Sequence, residues 1–219
     1  MITLYGFGRV YPGMVGKARD LRVQWVLEET GLPYRVHALD YIAGDLDSPA
    51  YDRISYFHQV PVIDDDGFVM AESGAILLYI AEKTGKLIPA DFVERMQVVQ
   101  WCFAALATAE RPLFEIQLID AGLGGKWSDE RRAVLVKEAT RWLMGLERRL
   151  EGREWIACEV FTVADILLAT VLRGARRTGL LEPYPRVQAY YAKALARPAW
   201  QRTLQLCAER QGVSVTDIS

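Results

Sequence analysis

Apolar and polar positions along this chain follow two different periods, and the change from one to the other divides it. Residues 2–7, ITLYGF, form a short apolar run rich in β-formers, which predicts a buried strand. A Gly-rich loop follows, and then residues 18–30 place Leu21, Val23, Trp25, Val26 and Leu27 at helical spacing. Gly31 and Pro33 should end that helix. Residues 34–39 read as a second strand. Residues 40–55 are polar and predict a loop with a short helix. Val60-Pro61-Val62-Ile63, Asp64-Asp65-Asp66-Gly67 and Phe68-Val69-Met70 read as a β-hairpin around an Asp-Gly turn. Pro61 cannot donate to a ladder, so its strand is expected at an edge or irregular there. Glu72-Ser73-Gly74 leads into a helix over residues 75–82.

From Gly85 to Pro89 the periodicity breaks, and the reading beyond is helical throughout. Met96, Val99, Phe103 and Leu106 share a face of a long helix that should bend or end near Pro112. Gly122, Gly124 and Gly125 predict a loop. Ser128 can cap the next helix, with Asp129 and Glu130 in its first turn, and that helix should run to about Leu150. Thr162 and Asp165 have capping-box spacing, with Phe161 and Ile166 placed as a hydrophobic staple. Pro183 and Pro185 separate this helix from one carrying Val187, Tyr190 and Leu195. Pro198 precedes a last helix with Trp200 and Leu204, and the chain from Gly212 is expected to fray. The expected organisation is a β-α-β, β-β-α domain over residues 1–83, a linker over 84–92 and an all-helical domain over 93–219.

Composition narrows the function classes. Half of the 219 residues are apolar and a quarter are charged, with a net charge of -2. That balance fits a globular domain and argues against a general nucleic-acid binder. Cys102, Cys158 and Cys207 are far apart and form no CxxC pair, as in a reduced cytoplasmic protein. His37 and His58 have no metal-type spacing with a cysteine, so no metal is expected. No stretch reaches the length of a membrane span, and MITLYGF lacks the features of a signal peptide.

Three segments together resemble a known family. QVPVIDDDGFVMAESGAILLYIAEKTGKLIP is similar to the glutathione-binding core of cytosolic glutathione S-transferases. FTVADILLATVL is similar to their C-terminal capping motif, and LLEPYPRVQAYYAKALARPAWQR to their closing helices. The resemblance implies a thioredoxin-like domain followed by a helical bundle, an α/β plus all-α fold. It implies a cis bond at Pro61, with Val60 pairing with the cysteinyl backbone of glutathione. Gln59 is implied toward the glycyl carboxylate. Ser73 stands where a helix begins, and free N–H groups there suit a carboxylate, though Ser is also an ordinary cap. The resemblance implies that Ser73 holds the γ-glutamyl carboxylate and that Glu72 helps place that end. It reads the Thr162–Asp165 cap as structural.

The catalytic group is less legible. A transferase must favour the thiolate of glutathione, which a hydroxyl donor or a helix N-terminus can do. Alignment on Arg22-Val23-Gln24-Trp25 places the expected hydroxyl near Lys17 or Ala18, and neither carries one. Tyr11 is the nearest hydroxyl in the loop and the first catalytic candidate; Tyr5, Lys17, Arg19 and the bare helix start are the others. No cysteine precedes Cys102, so dithiol exchange by the first domain is not expected. An electrophile pocket is expected between the domains, walled by the Tyr11 loop and by Trp101, Ala105 and Thr108. The leading expectation is an enzyme that conjugates glutathione, as co-substrate, to a hydrophobic electrophile. Its rivals are a non-catalytic binding module and a glutathione-dependent peroxidase or reductase. The family also implies a homodimer, with neither nucleic acid nor membrane as partner.

Overall fold

The computed structural model describes every residue except Gly124, Lys126, Trp127 and Ser219. The Gly124 position of the expected glycine loop therefore lies outside the described residues. By contact the chain forms two compact units. One comprises Met1–Thr84 with Arg197–Ser219, and the other comprises Gly85–Ala196.

The first unit is built on a four-stranded sheet. Its elements are β1 (Ile2–Phe7), α1 (Asp20–Thr30), β2 (Tyr34–Leu39), α2 (Pro49–Asp52), β3 (Val62–Asp65), β4 (Phe68–Ala71) and α3 (Ser73–Thr84). The strand order is β2-β1-β3-β4. β1 runs parallel to β2, so the connection between them must cross over, and α1 makes that crossover. β1 pairs antiparallel with β3, and β3 with β4 through the Asp66-Gly67 turn. The Gly67 N–H donates to Asp64 Oδ1 at 2.7 Å, and both turn residues have positive φ, as a two-residue hairpin requires.

Of the two alternatives expected for the strand at Pro61, an edge or an irregular stretch, the second holds. β3 is an interior strand, not an edge. Its ladder begins at Val62, one residue after Pro61, so the proline is never asked to donate.

Two helices close the unit: α9 (Pro198–Gln211) and α10 (Val215–Ile218). α1 is buried on nearly every side because α3 and α9 both pack against it. Trp25 of α1 meets Trp200 of α9 with ring centroids 4.7 Å apart. Arg197 donates to Glu29 at 2.6 and 2.8 Å, Arg202 to Glu28 at 2.9 Å, and Arg210 to Asp20 at 3.3 Å. The expected frayed end is corrected. Residues beyond Gly212 fold as α10, and Ile218 is fully buried.

The second unit contains α4 (Phe92–Phe103), α5 (Glu110–Asp120), α6 (Ser128–Arg149), α7 (Val163–Leu172) and α8 (Pro185–Leu195). A π-helical stretch, Ala104–Ala109, joins α4 to α5. Pro112 thus sits inside a continuing helix, and the irregularity is displaced upstream of it. Pro112 has no N–H for the preceding turn, and a widened turn there absorbs the mismatch. The core face here is Val98, Cys102, Ala105 and Ala109, whereas Met96 and Phe103 are exposed. Of the expected apolar face, Met96 and Phe103 are thus exposed, while Val99 and Leu106 are half-buried. α7 is the hub, buried along its whole length except Thr170. Its cap residue Asp165 accepts from the Thr162 N–H, the Ile156 N–H and the Tyr190 hydroxyl, each at 2.9 Å. Among the described residues no helix is long and apolar enough to cross a membrane.

Candidate functional site

Ser73 is the first residue of α3 and only 5% exposed. Arg22, equally buried on α1, donates through Nη1 to Ser73 Oγ at 3.2 Å. A guanidinium only donates, so this contact uses Ser73 as an acceptor and leaves its O–H to donate elsewhere. The helix start adds unpaired backbone N–H groups and partial positive charge. The neighbouring Glu72 is exposed, with φ 68. A non-glycine residue there costs of order 1–3 kcal/mol, and such strain gathers at functional positions. Its carbonyl accepts the Ile76 N–H at 2.9 Å, which fixes the turn into the helix.

The segment before Pro61 is held from beneath. The Tyr51 hydroxyl donates to the Gln59 carbonyl at 2.8 Å, and Ser55 Oγ accepts from the Gln59 N–H at 3.1 Å. Burial pushes the Tyr51 phenol up to about 12, so it remains a donor. With its backbone engaged on both sides, Gln59 presents an exposed side chain. The Val60-Pro61 bond is cis, Pro61 is buried and Val60 is half-buried. His58 has φ 52, and its ring lies between Asp47 and Asp52 at 3.4 and 3.1 Å.

One apolar cluster gathers these parts. Phe7, Val10, Leu39, Leu46, Tyr51 and Val62 form its buried centre. Val60, Ala71, Met14, Val15 and Ala18 pack around it. The Val60 segment, the residue before Glu72 and the loop leading into α1 therefore share one footing. Tyr11 stands on that loop, 53% exposed, with its ring edge-on to Tyr41 at 6.0 Å. Tyr5 is half-buried between His37 and Tyr51, at 5.0 and 6.0 Å. Asp20, in the first turn of α1, is buried and accepts the Phe7 N–H at 3.1 Å. Burial raises its pKa, and the Arg210 guanidinium opposes that rise.

The three expected pocket residues of the second unit differ in exposure. Trp101 is half-buried, with the Arg149 guanidinium 5.6 Å from its ring centroid. Ala105 is fully buried in the core, and Thr108 is exposed. Cys102 is buried, and burial pushes its thiol up to about 12, which makes it unreactive. Among the described residues no cluster of His, Cys, Asp and Glu could hold a metal ion.

Sequence reasoning missed Arg22, Tyr51 and Ser55. Arg22 carried one signal, a charge in the first turn of α1 set between Leu21 and Val23. The roles of Tyr51 and Ser55 depend on a loop closure that no local pattern encodes.

Comparison with known proteins agrees with this fold. Residues 9–82 match the model of the glutathione S-transferase N-terminal domain, and residues 127–193 that of the C-terminal domain. The disulfide-bond oxidoreductase YfcG of Escherichia coli is 31% identical over 193 residues, covering 84% of this chain and 88% of its own. Glutathione S-transferase D7 of Anopheles gambiae is 31% identical over 167 residues, covering 74% and 75%. A glutathione transferase from Pseudomonas putida, solved with one glutathione disulfide per subunit, superposes with a TM-score of 0.81 at 29% identity, covering 94% of this chain and 91% of that one. A glutathione transferase from Burkholderia graminis, solved with two glutathione molecules per subunit, gives 0.81 at 32% identity, covering 92% and 86%.

Proposed function

Because the chain belongs to the glutathione S-transferase family, we propose that it conjugates reduced glutathione to a hydrophobic electrophile. The observation that carries this reading is the Arg22–Ser73 contact at the start of α3. It orients a buried hydroxyl to donate to a carboxylate at a site already rich in N–H donors. In this reading the γ-glutamyl carboxylate accepts from Ser73, and Glu72 takes the α-amino group. The Val60 backbone pairs with the cysteinyl residue, and Gln59 reaches the glycyl carboxylate. The sulfur then lies against the loop into α1, where the α1 N-terminus favours the thiolate and Tyr11 is the candidate hydroxyl donor. The thiol proton leaves to water, the thiolate forms a carbon–sulfur bond, and the leaving group departs with the bonding electron pair. The active form is proposed to be a cytoplasmic homodimer.

A second reading has support of its own. No cysteine precedes Cys102, and the three cysteines are free and buried. Any disulfide reduction would therefore draw its thiols from glutathione. Two glutathione molecules would reduce one disulfide to two thiols and leave as glutathione disulfide. The relative named as a disulfide-bond oxidoreductase and the neighbour solved with glutathione disulfide favour this alternative.

Titration calorimetry with reduced glutathione, comparing the parent with Ser73→Ala, tests the site. Binding that weakens about tenfold in the variant is the expected result. Thioether product with an electrophile panel, rather than glutathione disulfide formed from a disulfide substrate, separates the two chemistries. A folded parent that binds no glutathione would overturn both.

A further inference from the structure

Residues 8–19, the loop on the expected thiol side, hold themselves together weakly. Their regular structure is one three-residue turn, Pro12–Met14, without a side-chain cap. Val10, Met14, Val15 and Ala18 seat them on the apolar cluster, the Gly8 N–H donates to the Leu39 carbonyl and the Arg9 carbonyl accepts from the Tyr41 N–H, each at 2.9 Å, and a further set of ties comes from the far end of the chain. The loop leaves β1 at Phe7, and the Phe7 carbonyl accepts from Arg210 Nε at 2.9 Å and Gln211 Nε2 at 3.4 Å. The Phe7 N–H goes to Asp20, which also accepts from Arg210 at 3.3 Å. Midway along, the Gly16 N–H donates to Gln211 Oε1 at 3.3 Å. Gly16 has φ +65, and a Cβ built there would lie 2.5 Å from the Cβ of Ile218. Ile218 is fully buried and occupies the space a side chain at Gly16 would need. The two residues that flank the loop, Phe7 and Asp20, and Gly16 within it are thus each tied to residues 210–218. All of these contacts lie within the first unit.

We infer that residues 210–218 position the thiol-side loop, and that Arg210, Gln211 and Ile218 set where the sulfur of bound glutathione sits. The inference rests on the glutathione reading above. Its physical content is a division of labour. The γ-glutamyl end is held by Ser73 and the start of α3, anchored to α1 through Arg22. The sulfur end depends on the loop shape, because donors that favour a thiolate must be aimed in advance. Arg210 adds a second effect. Asp20 is a buried carboxylate in the first turn of α1, and its charge would oppose a thiolate at that helix end. The guanidinium of Arg210 offsets that charge. These are positioning residues, since none of them is expected to touch glutathione.

The test compares the parent with Ile218→Ala, Ile218→Val and Gln211→Met in the full-length protein. The first readout needs no ligand: amide hydrogen exchange of peptides covering residues 8–19. Exchange there is expected to quicken about tenfold in Ile218→Ala and Gln211→Met, while β2 and α3 keep the parent rates. The second readout is the ultraviolet titration of the thiol of bound glutathione, expected to rise by about one pH unit in Ile218→Ala. Affinity for S-methylglutathione, which keeps the γ-glutamyl end but has no free thiol, should change by less than about twofold. Ile218→Val should restore the parent behaviour in both. Unchanged exchange in the loop overturns the inference. Faster exchange with an unmoved thiol titration overturns its claim on the sulfur. A parent that binds neither glutathione nor S-methylglutathione overturns the glutathione reading and the sulfur claim with it; the exchange data then still decide whether residues 210–218 hold the loop.

Discussion

At the scale of single residues, the proposed site rests on two side chains in unusual settings. Arg22 is a buried cation whose contact with Ser73 decides which way a hydroxyl can donate. In Arg22→Met that hydroxyl loses its fixed role, and glutathione affinity should fall about tenfold. The effect should largely vanish when Ser73→Ala is already present, because both act on one hydrogen bond; residues that share a bond couple by about 0.5–3 kcal/mol in a double-mutant cycle. Additive losses, measured calorimetrically, would place Arg22 outside the site. Glu72 makes the complementary case, since it holds a left-handed backbone conformation with an exposed carboxylate. Glu72→Gly removes the backbone penalty, so stability should rise by up to about 1 kcal/mol while glutathione binding weakens. A variant both less stable and unaltered in binding would contradict that assignment. Glu72 and Ser73 were legible in the sequence because a strand, a turn and a helix start succeed one another within a few residues. Arg22 was not, because its partner is 51 residues away.

At the scale of elements, β3 and α3 are joined by a small polar cluster under the hairpin. Asp65 accepts from the Tyr79 hydroxyl at 2.7 Å and from the Lys83 ammonium. Hydrogen bonds from Lys83 and then Tyr79 hold its carboxyl below the usual carboxylate range. A depressed folded pKa stabilises the fold above the unfolded value, near pH 4, and that contribution is lost as pH falls through the folded value. Asp165 and Asp20 act in the opposite direction, because burial raises both. Their protonation on acidification relieves a cost of folding. Asp65→Asn should therefore flatten the acid-side fall in melting temperature between pH 7 and pH 3, because the opposing pair then weighs more in the balance. Melting curves that keep the parent slope would remove Asp65 as a source of acid sensitivity. The elements themselves were well marked in the chain. Gly31 ends α1 at φ 73, and the Thr162–Asp165 cap begins α7. What local pattern could not supply was the interior placement of β3 or the packing of α9 on α1. The first follows from the pairing of β3 with the distant β1, and the second from pairings across 168–190 residues, such as Arg197 with Glu29 and Arg210 with Asp20.

At the scale of the whole molecule, α4 carries more apolar surface than its own unit buries. Met96, Val99, Phe103 and Leu106 share the apolar face read from the sequence, and Phe92 extends it at the start of the helix. The unit instead buries the other side of the helix, through Val98, Cys102 and the adjoining Ala105 and Ala109. Phe92, Val93, Met96 and Phe103 remain 66, 63, 42 and 64% exposed. Full burial of one Phe or Met side chain contributes about 1.5–3 kcal/mol, so leaving several in water forfeits a large stabilisation. A second copy of the chain is the partner that the family reading supplies, and a twofold assembly would cover the same face on each subunit. Sedimentation at micromolar concentration should therefore give a dimer. Phe103→Glu should shift it toward monomer without unfolding it, since the side chain does not belong to the core of its own unit. A monomeric parent would refute the assembly, and a Phe103→Glu dimer of unchanged affinity would move the interface away from α4.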